Sequence, residues 1–336
     1  MIQNPPTSSE SASPPPTEIA VAPATAEGER LDKFLSRLHP EKSRAFIQKC
    51  IAEQRVRLDG QSTAAALRLR PGASIEIDWP APGTLEPSLR PEAIPFEILF
   101  EDQDLIVLDK PPGLVVHPNR NDRQGTLVHG LLHHDQEVFG DLPDQDLRPG
   151  IVHRLDKETS GALVVAKTAE AWTRLKASFK QRKVEKTYLA IVVGEFGATV
   201  GRVEGMIGRH PRNRKKMAVV QDNGKPAATR YRVLAAASGA TLLEVDIETG
   251  RTHQIRVHFS HLRHPVLGDR VYGGRPSIEG IDPPRQMLHA WRLSFPHPRT
   301  GALREYTAPI PADFREIMRQ LGLVNSEHLA APETER

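Results

Sequence analysis

The chain has 336 residues, enough for two domains of ordinary size with sizeable buried cores. With 38% hydrophobic and 26% charged residues it has the composition of a soluble globular protein, and no apolar run approaches the roughly 18 residues that a membrane span needs. We therefore expect no membrane segment. The single cysteine, Cys50, excludes an internal disulfide and a zinc site made of several cysteines, and it fits a reducing, cytoplasmic compartment.

The first 28 residues differ in character from the rest of the chain. They hold six prolines and no lysine or arginine, which matches neither a signal peptide nor an arginine-rich transit peptide. We predict that residues 1–28 form a disordered, proline-rich tail. Glu10, Glu18 and Glu27 give this tail a charge of −3, so a net charge of +3 leaves +6 on the remainder. A basic remainder favours a polyanionic partner such as nucleic acid.

Residues 29–80 predict a small domain of two helices and a hairpin. Leu31, Phe34, Leu35 and Leu38 have helical spacing, and Pro40 ends that helix. A second helix begins after residue 43, and short strands at residues 56–58 and 74–77 follow, the first of them ending in an Asp-Gly turn. Residues 81–95 are rich in proline and predict a linker.

The same stretch is basic on the faces that the apolar residues leave free. Between Arg30 and Arg57 there are eight basic and three acidic residues. The segment resembles the S4 RNA-binding domain, which lays a basic helix face on the phosphates of structured RNA. The alternative is an ordinary solvated helix face. The resemblance implies RNA contacts by four residues: Lys42, Arg44, Lys49 and Arg55.

Residues 96–325 alternate strand-like and helix-like segments. No regular βαβ rhythm and no nucleotide-binding glycine pattern is present. We therefore predict an α+β domain with a mixed, largely antiparallel sheet flanked by helices, followed by a disordered tail at residues 326–336. The predicted strands are residues 97–100, 104–109, 113–117, 151–152, 162–166, 186–193, 228–235 and 241–247, and the helices follow the caps Thr126, Thr168 and Thr252.

The charged motif HRLDKETSG does not stand alone in this domain, because a second charged motif, TGRTHQIRVH, follows it in the sequence. The sequence HRLDKETSG at residues 153–161, taken alone, is typical of a polar turn whose surface ion pairs contribute about 0–1 kcal/mol each. In TGRTHQIRVH, at residues 249–258, Arg256 lies on the first turn of a predicted helix beside the inner face formed by Ile255, Phe259 and Leu262. An arginine in that position needs a carboxylate partner, because a buried unpaired charge is very costly.

Together with KTYLAIVVG, IGRHPRNRKKMAV, HPVLGDRVYGG and MLHAWRL, these motifs identify a family resemblance. In this order they resemble the RluA-like pseudouridine synthases, which modify uridines in structured RNA. The resemblance covers residues 29–323, including the S4-like segment, and implies an active-site cleft across an antiparallel sheet. It is greatest to the subgroup that acts on the helix 69 stem-loop of large-subunit (23S) ribosomal RNA.

The resemblance implies a catalytic set of Asp156, Tyr188 and Arg256. Asp156 would act as nucleophile at the ribose or as the base that triggers elimination, and Arg256 would hold it ionised. Tyr188 would stack on the target base and remove the C5 proton; a core aromatic residue is its alternative role. No cofactor and no metal are implied, because nothing is oxidised and no group is imported.

The remaining candidates are substrate-binding residues. His153, Arg154 and Leu155 would shape the catalytic loop, with Arg154 filling the gap left by the extruded base. Leu288 would line the base pocket or simply belong to the core. Nine basic and two acidic residues lie between Arg202 and Arg232, and this density predicts a phosphate clamp. Its candidate members are Arg212, Arg214, Lys215 and Lys216.

Several alternatives stay open at this point. One is a non-catalytic RNA-binding or ribosome-assembly protein, and another is a pseudouridine synthase that acts on transfer RNA. A glycoside hydrolase would need a second carboxylate about 5–9.5 Å from the first, and Glu158 is too near Asp156 in sequence to supply it convincingly. His253, His258, His261 and His264 have spacings that resemble zinc ligands, although no cysteine lies nearby. We expect a monomer whose partner is structured RNA.

Overall fold

The computed structural model describes residues 17–40, 42, 44–80, 89–119, 122–142, 148–213, 216–273, 277–278 and 280–323. These described residues divide into two compact units, one ending at Leu89 and the other beginning at Arg90. Among these residues no helix has both the length and the apolar character to cross a membrane. The carboxy-terminal tail predicted at residues 326–336 lies outside the described ranges, as do residues 81–88 of the predicted linker.

In its described residues, the amino-terminal unit contains a four-stranded antiparallel sheet in the order β1-β4-β2-β3 and two α-helices. Leu31 and Leu35 of the first helix and Ile47 and Cys50 of the second are fully buried, as the helical spacing predicts. The Asp59-Gly60 turn has positive φ at both residues, which suits a two-residue hairpin. The elements are β1 (Glu18–Val21), α1 (Leu31–Leu38), α2 (Arg44–Ala52), β2 (Val56–Leu58), β3 (Gln61–Ser62) and β4 (Ser74–Ile77).

Strand β1 lies within the stretch that the sequence predicts to be a disordered tail. Glu18 pairs with Ile77 and Val21 with Ser74, so the strand extends the edge of the sheet. Ala22 and Ala26, which follow it, are buried in the core of the same unit. The prediction is therefore wrong for residues 17–28, because four residues of strand are too short to stand out in a proline-rich segment. Residues 1–16 lie outside the described ranges.

The carboxy-terminal unit contains a ten-stranded sheet in its described residues, in the order β10-β9-β11-β12-β8-β13-β7-β6-β5, with β14 also paired to β13. Nearly every pairing is antiparallel, which confirms the predicted fold class. The elements are β5 (Glu97–Glu101), β6 (Leu105–Lys110), α3 (Leu127–His134), α4 (Gln136–Asp141), β7 (Ser160–Ala166), α5 (Ala169–Lys180), β8 (Glu185–Val193), β9 (Val200–Arg209), β10 (Met217–Val220), β11 (Lys225–Ala237), β12 (Ala240–Ile247), α6 (Gln254–His261), β13 (Leu288–Pro296), β14 (Leu303–Thr307) and α7 (Ala312–Gln320).

The pairing of β7 with β13 is parallel, and it places three motifs side by side. Ser160 pairs with His289 and Gly161 with Ala290, so the residues just before β7 lie beside the start of β13. On the other side of β13, Ala290 pairs with Tyr188 of β8. The HRLDKETSG loop, the start of MLHAWRL and the tyrosine of KTYLA thus meet at one end of the sheet.

Two helices cover the central strands. The hydroxyl of Thr168 accepts the N–H of Ala171 at 3.1 Å, which confirms the predicted cap of α5. Leu175 of α5 is buried in one cluster with Val164 of β7. Phe314 of α7 is buried in another cluster with residues of β8 and β12.

Residues 113–117 do not form the predicted strand. The carbonyl oxygen of Val115 accepts the N–H of Leu127 at 2.8 Å, and that of Val116 accepts the N–H of Val128 at 3.2 Å. These carbonyls therefore satisfy the free N–H groups at the start of α3 instead of a neighbouring strand. Residues 151–152 likewise make only one bridge, from Ile151 to Val165. The end of the predicted linker is also ordered, because the N–H of Glu92 donates to the carbonyl oxygen of His129 at 3.1 Å.

Gly161 provides a test of the β7–β13 crossing. Its φ is +115°, and an added Cβ would clash with the backbone carbonyl of Ala290. We expect Gly161→Ala to lower the free energy of unfolding by about 3–5 kcal/mol, measured by urea denaturation. The control is Gly197→Ala, whose Cβ would meet nothing within 4 Å. Equal stability of the two variants would contradict the close approach of the strands.

Candidate active site

A cavity of about 550 Å³ opens where the HRLDKETSG loop, β8, β13 and the start of α6 meet. This volume lies within the roughly 300–1,000 Å³ of small-ligand sites. Asp156, Tyr188, Arg256 and Leu288 all line the cavity. The structure therefore brings together the three predicted catalytic residues and one predicted pocket residue, although they are spread over more than a hundred positions of the sequence.

Two buried polar side chains, Lys110 and Arg285, donate hydrogen bonds to the backbone of the catalytic loop, residues 153–161. Lys110 is fully buried, and its Nζ donates to the carbonyl oxygens of Pro111, Leu114 and Lys157 at 2.7, 2.9 and 3.1 Å. Three acceptors match the three N–H groups of an ammonium. Arg285 donates to the carbonyl oxygen of Glu158 at 3.0 Å. Both supports bind backbone carbonyls of the two residues that directly follow Asp156, so they restrain the loop that carries its side chain.

Asp156 is paired through one carboxylate oxygen. Arg256 Nη1 donates to Asp156 Oδ2 at 2.9 Å. Asp156 Oδ1 makes no hydrogen bond within the described chain, and His253 Nε2 lies 3.8 Å from it. The carboxylate is 18% exposed at the cavity, while its partner arginine is only 6% exposed. One oxygen is thus held and the other is available to a ligand.

Asp269 completes the pairing of Arg256, and sequence analysis did not single it out. Arg256 Nε donates to Asp269 Oδ2 at 2.7 Å and Nη2 donates to Asp269 Oδ1 at 3.0 Å. Asp269 also accepts the N–H groups of Val271 and Tyr272 at 2.9 and 3.0 Å. The available signal was the motif HPVLGDRVYGG, in which Asp269 is the acidic residue.

The charges of this trio stabilise one another. Burial alone would lower the pKa of Arg256, but the hydrogen bonds and charges of Asp269 and Asp156 raise it above the ordinary value for arginine. Burial alone would raise the pKa of Asp269, but hydrogen bonds from Arg256 and its charge lower it. Arg256 is therefore a permanent cation shared between two carboxylates.

The start of α6 differs from its prediction. The N-cap residue is His253, with φ +58°, and not Thr252. His253 Nδ1 hydrogen-bonds the hydroxyl of Tyr272 at 2.7 Å, and this contact fixes a left-handed residue at the cap position. Ile255 and Phe259 are buried as predicted, but Leu262 is 37% exposed because the helix ends at His261.

Tyr188 lies in the middle of the sheet with its ring facing the cavity. It pairs with Val245 on one side and Ala290 on the other, and it is 8% exposed. Burial and the charge of Asp156 raise the pKa of its hydroxyl, so the phenol is neutral in the free protein. The side chain thus combines a flat apolar face with a protonated hydroxyl near the carboxylate.

The predicted loop residues have different surroundings. His153 Nε2 accepts the N–H of Val164 at 3.0 Å, and its ring stacks on Phe179; burial and then Lys186 lower its pKa to about 3. Leu155 is 8% exposed, whereas Arg154 is exposed at the cavity mouth. His153 is therefore a neutral support for the loop, and Arg154 is free to reach a ligand.

The described members of the predicted phosphate clamp are Arg212 and Lys216. Arg212 is exposed and Lys216 half-buried in the loop between β9 and β10, and neither lines the cavity. Arg214 and Lys215 lie outside the described residues. The structure therefore does not bring the described clamp residues to the catalytic trio.

The candidates of the amino-terminal unit are partly engaged with their own neighbours. Lys49 Nζ lies 4.0 Å from Glu53, and Arg55 Nη1 lies 3.2 Å from Asp78. Lys42 Nζ lies 4.8 Å from the ring centre of Trp79. The side chain of Arg44 is outside what the structure describes. These RNA contacts stay predictions.

The four histidines of the metal alternative do not converge. His258 Nδ1 bonds Thr229 Oγ1 at 2.9 Å and His264 Nδ1 bonds the carbonyl oxygen of Val193 at 2.9 Å, while His261 is exposed. Within the described ranges, the one group with metal-ligand geometry is Asp102, Asp104 and His297. Its members already form ion pairs with each other or with Arg299.

A second free carboxylate is also missing from the described cavity wall. Glu248 lines the cavity, but Arg202 and Arg230 lie 3.1 Å from its two oxygens. A glycoside hydrolase would need such a group as its proton donor. The site instead offers one carboxylate, one buried arginine and one flat aromatic ring, which suits chemistry at a sugar carbon that carries a stacked base.

Asp269 gives a direct test of the trio. We expect Asp269→Asn to lower the free energy of unfolding by about 3–5 kcal/mol, because Arg256 loses a buried charge partner. This contribution is present above the unfolded pKa of about 3.9 and is lost as the pH falls through the lower folded pKa. Urea denaturation at pH 7 and pH 3 measures it.

The control for this test is Asp282→Asn. Asp282 forms an exposed pair with Arg270 at 4.0 Å, so its loss should change stability by less than about 1 kcal/mol. Equal effects of the two substitutions at pH 7 would show that Asp269 carries no buried pairing.

Comparisons with known proteins agree with this geometry. Residues 104–261 match the family model for RNA pseudouridylate synthase, and residues 29–75 match the S4 domain. Ribosomal large subunit pseudouridine synthase D of Nitrosomonas europaea is 44% identical, over 89% of this chain and 86% of that protein. A protein of Chloroflexus aurantiacus named as an uncharacterized RNA pseudouridine synthase is 45% identical, over 90% and 93%. The solved structure of Human RNA Pseudouridylate Synthase Domain Containing 4 is 27% identical with a TM-score of 0.54, covering 67% of this chain and 93% of that one. The chain therefore belongs to the RluA-like family of RNA pseudouridine synthases, with an S4 domain in its amino-terminal part.

Proposed function

We propose that the protein converts specific uridines of large-subunit (23S) ribosomal RNA to pseudouridine, as a cytoplasmic monomer that uses no cofactor. The observation that carries the proposal is Asp156, whose Oδ2 is bound by Arg256 while Oδ1 is unpaired in the described chain. The choice of RNA is supported by the name of the Nitrosomonas europaea relative, and by those of further relatives at 40–41% identity that carry the same name. The single cysteine fits a reducing compartment.

The reaction needs only groups that the cavity contains. The bond between ribose C1′ and uracil N1 breaks, the base turns over, and C1′ is joined to C5. A proton leaves C5 and a proton is taken up at N1, so no electrons and no groups enter or leave. Asp156 acts on the ribose through its unpaired oxygen, either as nucleophile at C1′ or as base for elimination to a glycal. Arg256 holds the other oxygen and so fixes the direction of attack.

Tyr188 and Leu288 hold the turning base. Tyr188 offers its ring for stacking, and Leu288, 4% exposed at the start of β13, closes the pocket with an apolar contact. The neutral phenol of Tyr188 can take the C5 proton only as its own proton passes to another acceptor. Proton removal is the last step, because C5 gives up its proton only after the bond to C1′ has made that carbon tetrahedral.

Arg154 assists the entry of the nucleotide. It is exposed at the cavity mouth, next to Leu155 and Asp156, where an extruded base leaves a gap in the RNA stack. Flipping a nucleotide costs a few kcal/mol, and a side chain that fills the gap offsets part of that cost. The S4 domain and the basic residues Arg212, Arg214, Lys215 and Lys216 contribute further phosphate contacts.

The first test is pseudouridine mapping on large-subunit ribosomal RNA transcribed without modification. We expect new pseudouridine with the intact protein and none with Asp156→Asn. The matched control is Glu305→Gln, which changes an exposed carboxylate on β14 outside the lining of the active-site cavity, and it should retain full activity. Tight binding of this RNA with no new pseudouridine from the intact protein would favour a non-catalytic role in ribosome assembly.

A second test separates the early and late steps. Tyr188→Phe keeps the ring for stacking and removes the hydroxyl. We expect RNA affinity to change by less than about threefold, while pseudouridine formation slows by about 10²–10⁴-fold, the usual range for a lost general base. Single-turnover kinetics at saturating protein measure the rate. A rate equal to that of the intact protein would assign proton removal to another group.

A further inference from the structure

One wall of the active-site cavity carries positive charge without a matching negative charge. Lys180 and Arg182, at the end of α5, and Lys186, at the start of β8, all line the cavity. Within the part of the chain that the structure describes, none of the three forms an ion pair or a hydrogen bond through its side chain. Sequence analysis did not single out any of them.

Arginines of strands β9 and β11, none of which lines the cavity, have different surroundings. Arg202 and Arg230 both pair with Glu248 at 3.1 Å, and Arg232 pairs with Glu244 at 2.9 Å. Each of these side chains therefore already has a carboxylate partner within the protein. An anion that enters the cleft meets uncompensated charge on the α5–β8 wall.

Lys186 is the most informative of the three. Its side chain is half-buried, and Nζ lies 5.8 Å from the ring centre of Phe179. Burial and the nearby charge of Arg182 both lower its pKa, and no carboxylate opposes them. A half-buried cation beside a second cation is costly in the free protein, and a bound anion would remove that cost.

The cations of α5 alone would have a simpler explanation. Lys180 and Arg182 lie at the carboxyl end of the helix, where the helix dipole favours positive charge. Lys186 lies beyond that helix, on the next strand, and faces the same cavity. The dipole therefore does not account for the set.

We propose that Lys180, Arg182 and Lys186 bind the phosphodiester backbone of the RNA beside the target nucleotide. The inference rests on the proposed function and names a substrate contact of that same cleft. The cations line the cavity that also contains Tyr188 and Leu288, so the phosphates they hold flank the base being turned. They differ in place from Arg212 and Lys216, which do not line the cavity.

The backbone conformation of Arg182 makes it possible to remove the side chain without straining the chain. Its φ is +59°, and it follows α5 with the N–H of Lys183 donating to the carbonyl oxygen of Ser178 at 2.9 Å. Glycine is favoured at such a position. Arg263 occupies the same position after α6, with φ +65° and an equivalent bond from the N–H of His264 to the carbonyl oxygen of Phe259 at 2.9 Å, but it does not line the active-site cavity.

The experiment compares Arg182→Gly with Arg263→Gly in the full chain. Each substitution removes one positive charge and relieves one left-handed residue, so both should leave the melting temperature unchanged or raise it by up to about 4 °C. Only Arg182→Gly should weaken binding of the unmodified large-subunit ribosomal RNA transcript, by about 3–10-fold at low salt. It should also reduce the slope of log affinity against log salt by about 0.7–0.9, the value for one lost phosphate contact.

Each other outcome is decisive. A melting temperature lowered by Arg182→Gly alone would show that the side chain serves the helix, and it would overturn the inference. Equal affinities and salt slopes of the two variants would overturn it as well, while leaving the proposed function intact if the intact protein modifies the RNA. An intact protein that does not bind this RNA would overturn both.

Lys186 allows a second test of the same wall, because it lies in strand β8 and not in a turn. Lys186→Met keeps the aliphatic stem against Phe179 and removes the charge. We expect unchanged or higher thermal stability with the same loss of RNA affinity and salt slope. A variant of lower stability and unchanged affinity would make Lys186 a packing residue and contradict the proposal.

Discussion

The buried guanidinium of Arg256 is the interaction on which the site depends. A permanent charge that is only 6% exposed requires carboxylates around it, and the fold supplies two. Asp269 binds Nε and Nη2 side by side, which leaves Nη1 directed at Asp156. Because the guanidinium is planar and rigid, fixing two of its nitrogens fixes the third. A single side chain therefore fixes the position of the loop before β7 relative to the start of α6.

The contrast between paired and unpaired cations in this unit shows that basic residues serve different purposes. The arginines that pair with Glu244 and Glu248 lie outside the cavity lining and already have carboxylate partners. Charge counts along the sequence cannot separate these two kinds, since pairing depends on which strands are neighbours. For the same reason the sequence selects Lys49 and Arg55, which the structure pairs with acidic neighbours, and passes over Lys186.

Much of the fold can be predicted from local pattern. The helices at Leu31–Leu38 and Ala169–Lys180 follow from apolar spacing and caps. The cost of a buried charge predicts a carboxylate partner for Arg256, and the family resemblance identifies that partner as Asp156. Asp269 could not be chosen in this way, because an arginine has five donors and the sequence does not say how many carboxylates share them. The stretch at residues 113–117 has strand composition, but its carbonyls serve the start of α3, and that use appears only in three dimensions.

The parallel contact between β7 and β13 has a consequence for biosynthesis. Ser160 and His289, which touch across it, are 129 residues apart, and Arg256 is 100 residues beyond Asp156. Contacts so distant in sequence form slowly and only after the intervening chain exists. A nascent chain that already carries a complete S4 domain therefore has no catalytic cleft. Such an intermediate could engage RNA before it is able to modify it.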